Sequence, residues 1–249
     1  MFKMFVLICL CQMWLSAADV FDVASIRPHD PGDNRFLVRP PSNGGFTAAG
    51  TTAKFVLMLA YDVQETQVIG GPGWFATEKW DIEARTDDRA GHSVAETRRM
   101  LQNLLEQRFS LRLRWETQPL PVYILTLAKN GPKLKTSDPQ GSTNVQAGGN
   151  SVSVQHGELA RMTQLLATVL GRPVVDRTGL TGLYDFSLRW DDAPIREGGV
   201  PGLDAPAAPG ADHGSIFTAI QDQLGLRLEP QRAPIDVIVV DRIDRPSQN

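Results

Sequence analysis

Residues 183–190 read LYDFSLRW, and residues 79–86 read KWDIEART. In the first, Tyr184, Phe186, Leu188 and Trp190 alternate with Asp185, Ser187 and Arg189; in the second, Trp80, Ile82 and Ala84 alternate with Asp81, Glu83 and Arg85. A period of two marks a β-strand with one buried face. It turns Asp81 and Asp185 to the opposite face, where the expectation is that both are solvated. Just upstream, GRPVVDRTGLTG (171–182) supplies Asp176, Thr178, Gly179 and Gly182, the short polar and glycine residues a turn needs.

Four stretches around these strands carry helical spacing. Residues 51–63 place Phe55, Met58 and Leu59 on one face. Residues 93–110 open with Ser93 and Glu96, a capping box, and align Val94, Leu101, Leu104, Leu105 and Phe109. Residues 158–171 align Leu159, Met162, Leu166 and Val169 and stop at Gly171; residues 215–225 align Phe217, Ile220 and Leu224 and stop at Gly225. Strands are expected near 66–69, 111–117, 121–127, 226–230 and 234–241. The run IDVIVV (235–240) is apolar throughout, as a central strand requires.

The order helix–strand–strand recurs four times and groups into two halves. RFSLRLRWETQPLPVYIL in one half parallels LGLRLEPQRAPIDVIVV in the other, as KWDIEART parallels LYDFSLRW. The expected fold is therefore α+β: two tandem pseudo-repeated halves, each with two helix–strand–strand units on a mainly antiparallel sheet. Residues 19–136 form the first half, the small polar stretch 137–150 a linker, and 151–249 the second half. A Pro/Gly/Ala-rich segment, 191–214, is expected to be a mobile loop.

The 249 residues are long enough for one large domain or two small ones. A net charge of −3 without a Lys/Arg cluster points away from nucleic acid and from a basic membrane-docking patch. The chain starts MFKMFVLICLCQMWLSAADV: a lysine, an apolar run shorter than a membrane span, then Ser16-Ala17-Ala18. That is a signal peptide over residues 1–18, so the protein is expected to be exported, periplasmic or secreted, with no membrane span after cleavage. Both cysteines, Cys9 and Cys11, would leave with it, and the mature chain would rely on packing alone.

Catalytic motifs are sparse. The four histidines, His29, His92, His156 and His213, fall in loops or at element edges without metal-ligand spacing, and no nucleophile elbow or phosphate loop occurs. No metal, no cofactor and no catalytic residue is assigned. The candidate binding residues are the turn Gly71, Pro72, Gly73 and Trp74, since an indole beside a tight turn can anchor a partner, and the turn Asp176, Thr178 and Gly179. Trp80, Trp115 and Trp190 fall on apolar strand faces and are expected in the core.

Several segments together, FDVASIRP, LAYDVQETQVIGGPGW followed by WDIEA, MLQNLLEQRFSLRL, PVYILTLAKNGPKL, RPVVDRTGLTGLYDF, SIFTAIQDQLGLRLE and VVDRIDRPSQN, resemble a soil-associated bacterial family of exported proteins of unknown function. Some relatives look like they carry this domain behind a membrane-bound sensor peptidase, which implies an extracytoplasmic sensing or interaction role. The pattern of a helix, LGLRLE, a turn and IDVIVV also resembles the short N-terminal modules of secretins and TonB-dependent receptors, which bind partner proteins. The expected function is an exported, non-catalytic binding or sensing module with an envelope protein or peptide as partner. A hydrolase or small-ligand enzyme with Asp81, Asp176 or Asp185 as acid/base, and a passive structural component, are the alternatives.

Overall fold

A computed structural model describes residues 19–42, 44–87, 92–138, 140–148, 150–190 and 215–246. The expected signal peptide, 1–18, and the expected mobile loop, 191–214, lie outside the described residues. Strands β1 (Val23–Pro28), β2 (Leu37–Ser42) and β3 (Gly45–Thr52) precede helix α1 (Ala53–Tyr61). Then come β4 (Val68–Gly70), the one-turn helix α2 (Trp74–Thr77), β5 (Lys79–Arg85), α3 (Val94–Arg108) and β6 (Arg112–Leu127). The rest of the chain runs β7 (Lys135–Thr136), β8 (Asn144–Gly148), β9 (Ser151–Glu158), α4 (Leu159–Leu170), β10 (Val174–Asp176), β11 (Leu183–Arg189), α5 (Ile216–Ala219) and β12 (Leu226–Arg242). The protein is α+β, with three four-stranded sheets among the described residues; pairing is mainly antiparallel, and the β10–β6 and β12–β4 pairs are parallel.

The chain divides into two compact units. The first takes the described parts of residues 1–61, 72–112 and 242–249; the second takes 62–71 and 113–241. In the first unit one sheet has the order β1-β5-β3-β2. Its central strand β5 buries Trp80, Ile82 and Ala84, the apolar half of its alternation. These residues share a core with Val56 and Leu57 of α1 and with Leu101, Leu105 and Phe109 at the end of α3. Helix α3 starts as its sequence dictates: Glu96 N–H donates to Ser93 Oγ (3.2 Å), and Ser93 N–H donates back to the Glu96 carboxylate (2.7 Å).

The second unit holds two sheets, β7-β11-β9-β8 and β10-β6-β12-β4. Tyr123 and Leu125 of β6 join the large core of Met162, Leu166, Phe186 and Leu188, while their neighbours Val122 and Ile124 pack with Ala233 on the other face. Burial on both faces is why PVYIL is apolar without alternation. Helix α4 ends at Gly171 with φ +63°, and α5 continues as a single π turn, Ile220–Leu224, to Gly225 with φ +65°.

Three strand expectations need correction. Strands 111–117 and 121–127 are one strand, β6, and 226–230 and 234–241 are one strand, β12. Prolines at 119, 121, 230 and 234 do not break them. Tyr123 N–H donates to Pro173 on the β10 side (2.9 Å), so Pro119 and Pro121 face that same side, before β10 begins at the level of Tyr123. Their missing N–H groups fall on an open edge, where proline is tolerated. The polar stretch 137–150 contains edge strand β8, whose small polar residues suit an edge. Trp115, expected in the core, is half exposed, because the buried part of β6 lies further on, at Val122–Leu125.

Candidate functional site

Asp81 is the hub of the first unit. The pairing of β3 with β5 shifts between Ala48 and Thr51, so Ala49 and Gly50 together oppose Asp81. This β-bulge needs a left-handed residue: Gly50 has φ +67°, and its N–H donates to Asp81 Oδ1 (3.0 Å). A Cβ there would lie 2.4 Å from the Arg35 carbonyl oxygen. On the other side, His29 follows β1 and donates its backbone N–H to the Lys79 carbonyl (3.0 Å). Its imidazole is buried, with Nδ1 2.7 Å from Asp81 Oδ1 and Nε2 2.8 Å from the Asp33 carbonyl oxygen.

Those two distances constrain where His29 carries its protons. A backbone carbonyl can only accept, so Nε2 donates; where the Asp81 carboxylate is ionised, Nδ1 donates as well and the ring is an imidazolium. The hydrogen bond to Asp81 holds the His29 pKa above its ordinary value, against the opposing effect of burial, with the Asp33 carbonyl adding to the rise. Asp33 itself is pulled down to about 2 by hydrogen bonds from Arg35. The sequence expectation that Asp81 is a solvated strand residue is corrected: it faces away from the core, but its carboxylate is committed to a buried cation and a bulge N–H.

Beside His29 opens a cleft of about 380 Å³ lined by Pro28, His29, Glu78, Lys79, Trp80, Arg245 and Pro246. The turn that the sequence singled out builds one of its charged edges. Gly71 has φ +83°, Pro72 and Gly73 give their carbonyls to Phe75 N–H (3.0 Å) and Ala76 N–H (3.3 Å), and α2 follows. Phe75 is buried; Trp74 is half-buried, edge-to-face with Trp80 at 6.5 Å. The Arg245 guanidinium lies 5.2 Å from the Trp74 ring centroid and pairs with Glu78 through Nε (2.8 Å) and Nη2 (2.5 Å). That pair holds Glu78 below the usual carboxylate range. Trp74 thus holds a cleft cation in place and does not line the cleft itself.

The other candidate turn, in the second unit, is occupied with its own backbone. Thr178 N–H donates to Asp176 Oδ1 (2.8 Å), Leu180 N–H donates to Thr178 Oγ1 (3.1 Å), and Gly179 has φ +70°. Asp185 corrects the sequence expectation in the same way as Asp81. The pairing of β11 with β9 shifts between Tyr184 and Phe186, His156 is left-handed at φ +54°, and its N–H donates to Asp185 Oδ1 (2.9 Å). Ser137 Oγ donates to the same oxygen (2.5 Å). The Ser137 hydroxyl first, and the His156 N–H second, hold the Asp185 pKa low. Ser137, His156 and Asp185 are not a hydrolytic triad: the serine proton is spent on the carboxylate, and His156 contributes its backbone while its buried Nδ1 has no partner.

A family model described as a protein of unknown function, DUF3738, matches residues 54–243. The chain belongs to the DUF3738 family. No curated protein and no solved structure matches it. The DUF3738 match takes in Glu78, Lys79, Trp80 and Asp81, while Pro28, His29, Arg245 and Pro246 lie outside it. Among the described residues of this DUF3738 protein, no cluster of three or more His, Cys, Asp or Glu side chains is placed to hold a metal ion. No described helix is long and apolar enough to cross a membrane.

His29, Lys79 and Arg245 escaped sequence reasoning. They are 50 and 166 residues apart along the chain, and no local motif links a residue after β1 to one after β12. Trp74 was the one local signal that led toward the cleft.

Proposed function

We propose that this DUF3738 protein is an exported, non-catalytic binding module of the bacterial envelope, built from two related α+β halves, with the cleft of the first unit as its ligand site. The leader-like start of the chain supports export. Support for the halves comes from register. Order β1-β5-β3-β2 corresponds to β7-β11-β9-β8, Thr51 pairs with Trp80 as Gly157 pairs with Tyr184, and Asp81 and Asp185 each face a left-handed bulge residue. By this correspondence β7 plays the part of β1, which puts the start of the second half near Lys135.

One observation carries the binding reading: a cleft with an aromatic and proline wall and three basic side chains, His29, Lys79 and Arg245, of a size common for small-ligand sites. Acid/base chemistry is disfavoured at the same place. Both His29 ring nitrogens are taken up in hydrogen bonds, and one oxygen of Asp81 is shared by His29 and the Gly50 N–H. The test is an NMR screen of the labelled protein against pools of short peptides and glycan fragments. Shift changes confined to residues 28–29, 78–80 and 245–246 are expected. Turnover of a probe that disappears in Asp81→Ala would instead support the enzyme reading.

A further inference from the structure

We infer that the cleft takes the C-terminal carboxylate of an extended peptide whose last side chain is apolar; this rests on the binding reading above. Charge is the first argument. His29 is matched by Asp81, and Arg245 by Glu78. That leaves Lys79, exposed and without a carboxylate partner among the described residues, as the surplus charge of the cleft. One surplus cation beside a fixed carboxylate suits a monoanion; a phosphate dianion would face Glu78 with too few donors.

Pre-organisation is the second. Arg245 is held against the Trp74 ring and by two bonds to Glu78, which use Nε and Nη2. The remaining N–H groups on Nη1 are available to a second acceptor with little ordering cost. Beside the charges, Pro28, Pro246 and Trp80 offer an apolar wall for a side chain.

The third argument is direction. Among the described residues, strand β1 is an edge of its sheet. His29 N–H faces β5, so the even-numbered residues of β1 face the open side; Arg108 already bonds the Ala24 carbonyl there (3.2 Å). Ile26 thus turns its N–H and C=O to the open edge. A chain laid parallel to β1 on those groups runs toward Pro28, where the lining of the cleft begins.

The experiment compares Ala-Ala-Val-Phe as the free acid and as the C-terminal amide, by NMR titration of the labelled protein. The free acid is expected to shift Ile26, Lys79 and Trp80, and the amide to bind about tenfold more weakly. Lys79→Gln, a change at an exposed position, is expected to bring the acid down to the amide's affinity and leave the amide unaffected. Equal binding of acid and amide at the cleft overturns the carboxylate inference and leaves the binding module standing, as does displacement of the acid by equimolar inorganic phosphate. Neither probe shifting the cleft residues overturns the carboxylate inference, and silence of the peptide and glycan pools at those residues overturns the binding module with it.

Discussion

Asp81 and Asp185 sit in the same backbone device and hold different things. Each faces a two-residue bulge on the neighbouring strand, and each accepts the N–H of a left-handed residue, Gly50 or His156. Each also takes a donor from the residue that follows the edge strand on its other side. In the first unit that residue is His29, a cation; in the second it is Ser137, a neutral hydroxyl. The second arrangement does no more than pin β7 and the bulge to β11. The first does the same work and also fixes a charged ring in the wall of a cleft. A shared structural knot was thus free to carry a charge on one side, because the backbone N–H alone already satisfies the bulge.

The largest expected difference between the two knots lies at the bulge itself. Gly50→Ala puts a Cβ into the left-handed region and against the Arg35 carbonyl. It is expected to cost about 3 kcal/mol, from backbone strain plus overlap, and thermal unfolding would show it. An unchanged midpoint would mean that the bulge relaxes freely and that the knot is not rigid. Next come the hubs. Asp81→Ala strands both a cation and a bulge N–H, while Asp185→Ala strands a hydroxyl and a bulge N–H. Both should lower the melting midpoint, by about 6 °C and about 3 °C respectively; the reverse order would break the comparison.

Acidity separates the knots in opposite directions. His29 is raised above 6.5, so its contribution to stability is complete below pH 6.5 and is lost as pH rises through the folded-state value. Asp185 is lowered below 3.8, so its contribution is complete above pH 3.8 and is lost as pH falls through its folded-state value. His29→Ser makes the first knot resemble the second. It is expected to remove the loss of stability on the alkaline side and leave the acid side unchanged, as read from denaturant midpoints from about pH 2 to about pH 9. Retention of the alkaline loss would assign it to another group.

The smallest effect is expected at His156. His156→Gly relieves a left-handed non-glycine residue and removes the buried, unpartnered Nδ1. A gain of about 0.5 kcal/mol is expected. A marked loss would show that the imidazole packs more usefully than its missing hydrogen bond suggests.

Much of the fold was legible in the sequence. Period-two alternation located β5 and β11, and the Ser93 and Glu96 pair located the start of α3, because these signals are local. The continuity of β6 and β12 was not legible: whether Pro119 and Pro121 break a strand depends on which side of it lacks a neighbour, which is set by distant β10. The alternation that turned Asp81 and Asp185 away from the core was read correctly as direction; both are part-exposed, and what it did not show is that each also holds specific partners. A strand pattern says which face a side chain takes, and not that a bulge two strands' pairing away will bring an N–H and a ring to meet it. His29, Lys79 and Arg245 come together only because β1 and the segment after β12 both reach the first unit.

The charge on His29 decides the comparison, and ring nitrogen NMR measures it directly. A pH titration of 15N-histidine-labelled protein, with His29→Ser to assign the signals, is expected to show both His29 nitrogens protonated at pH 6.5, with the midpoint of deprotonation above that value. A His29 ring that is a neutral single tautomer at pH 6.5 would contradict the account: the knot beside the cleft would then be as uncharged as the one at Ser137.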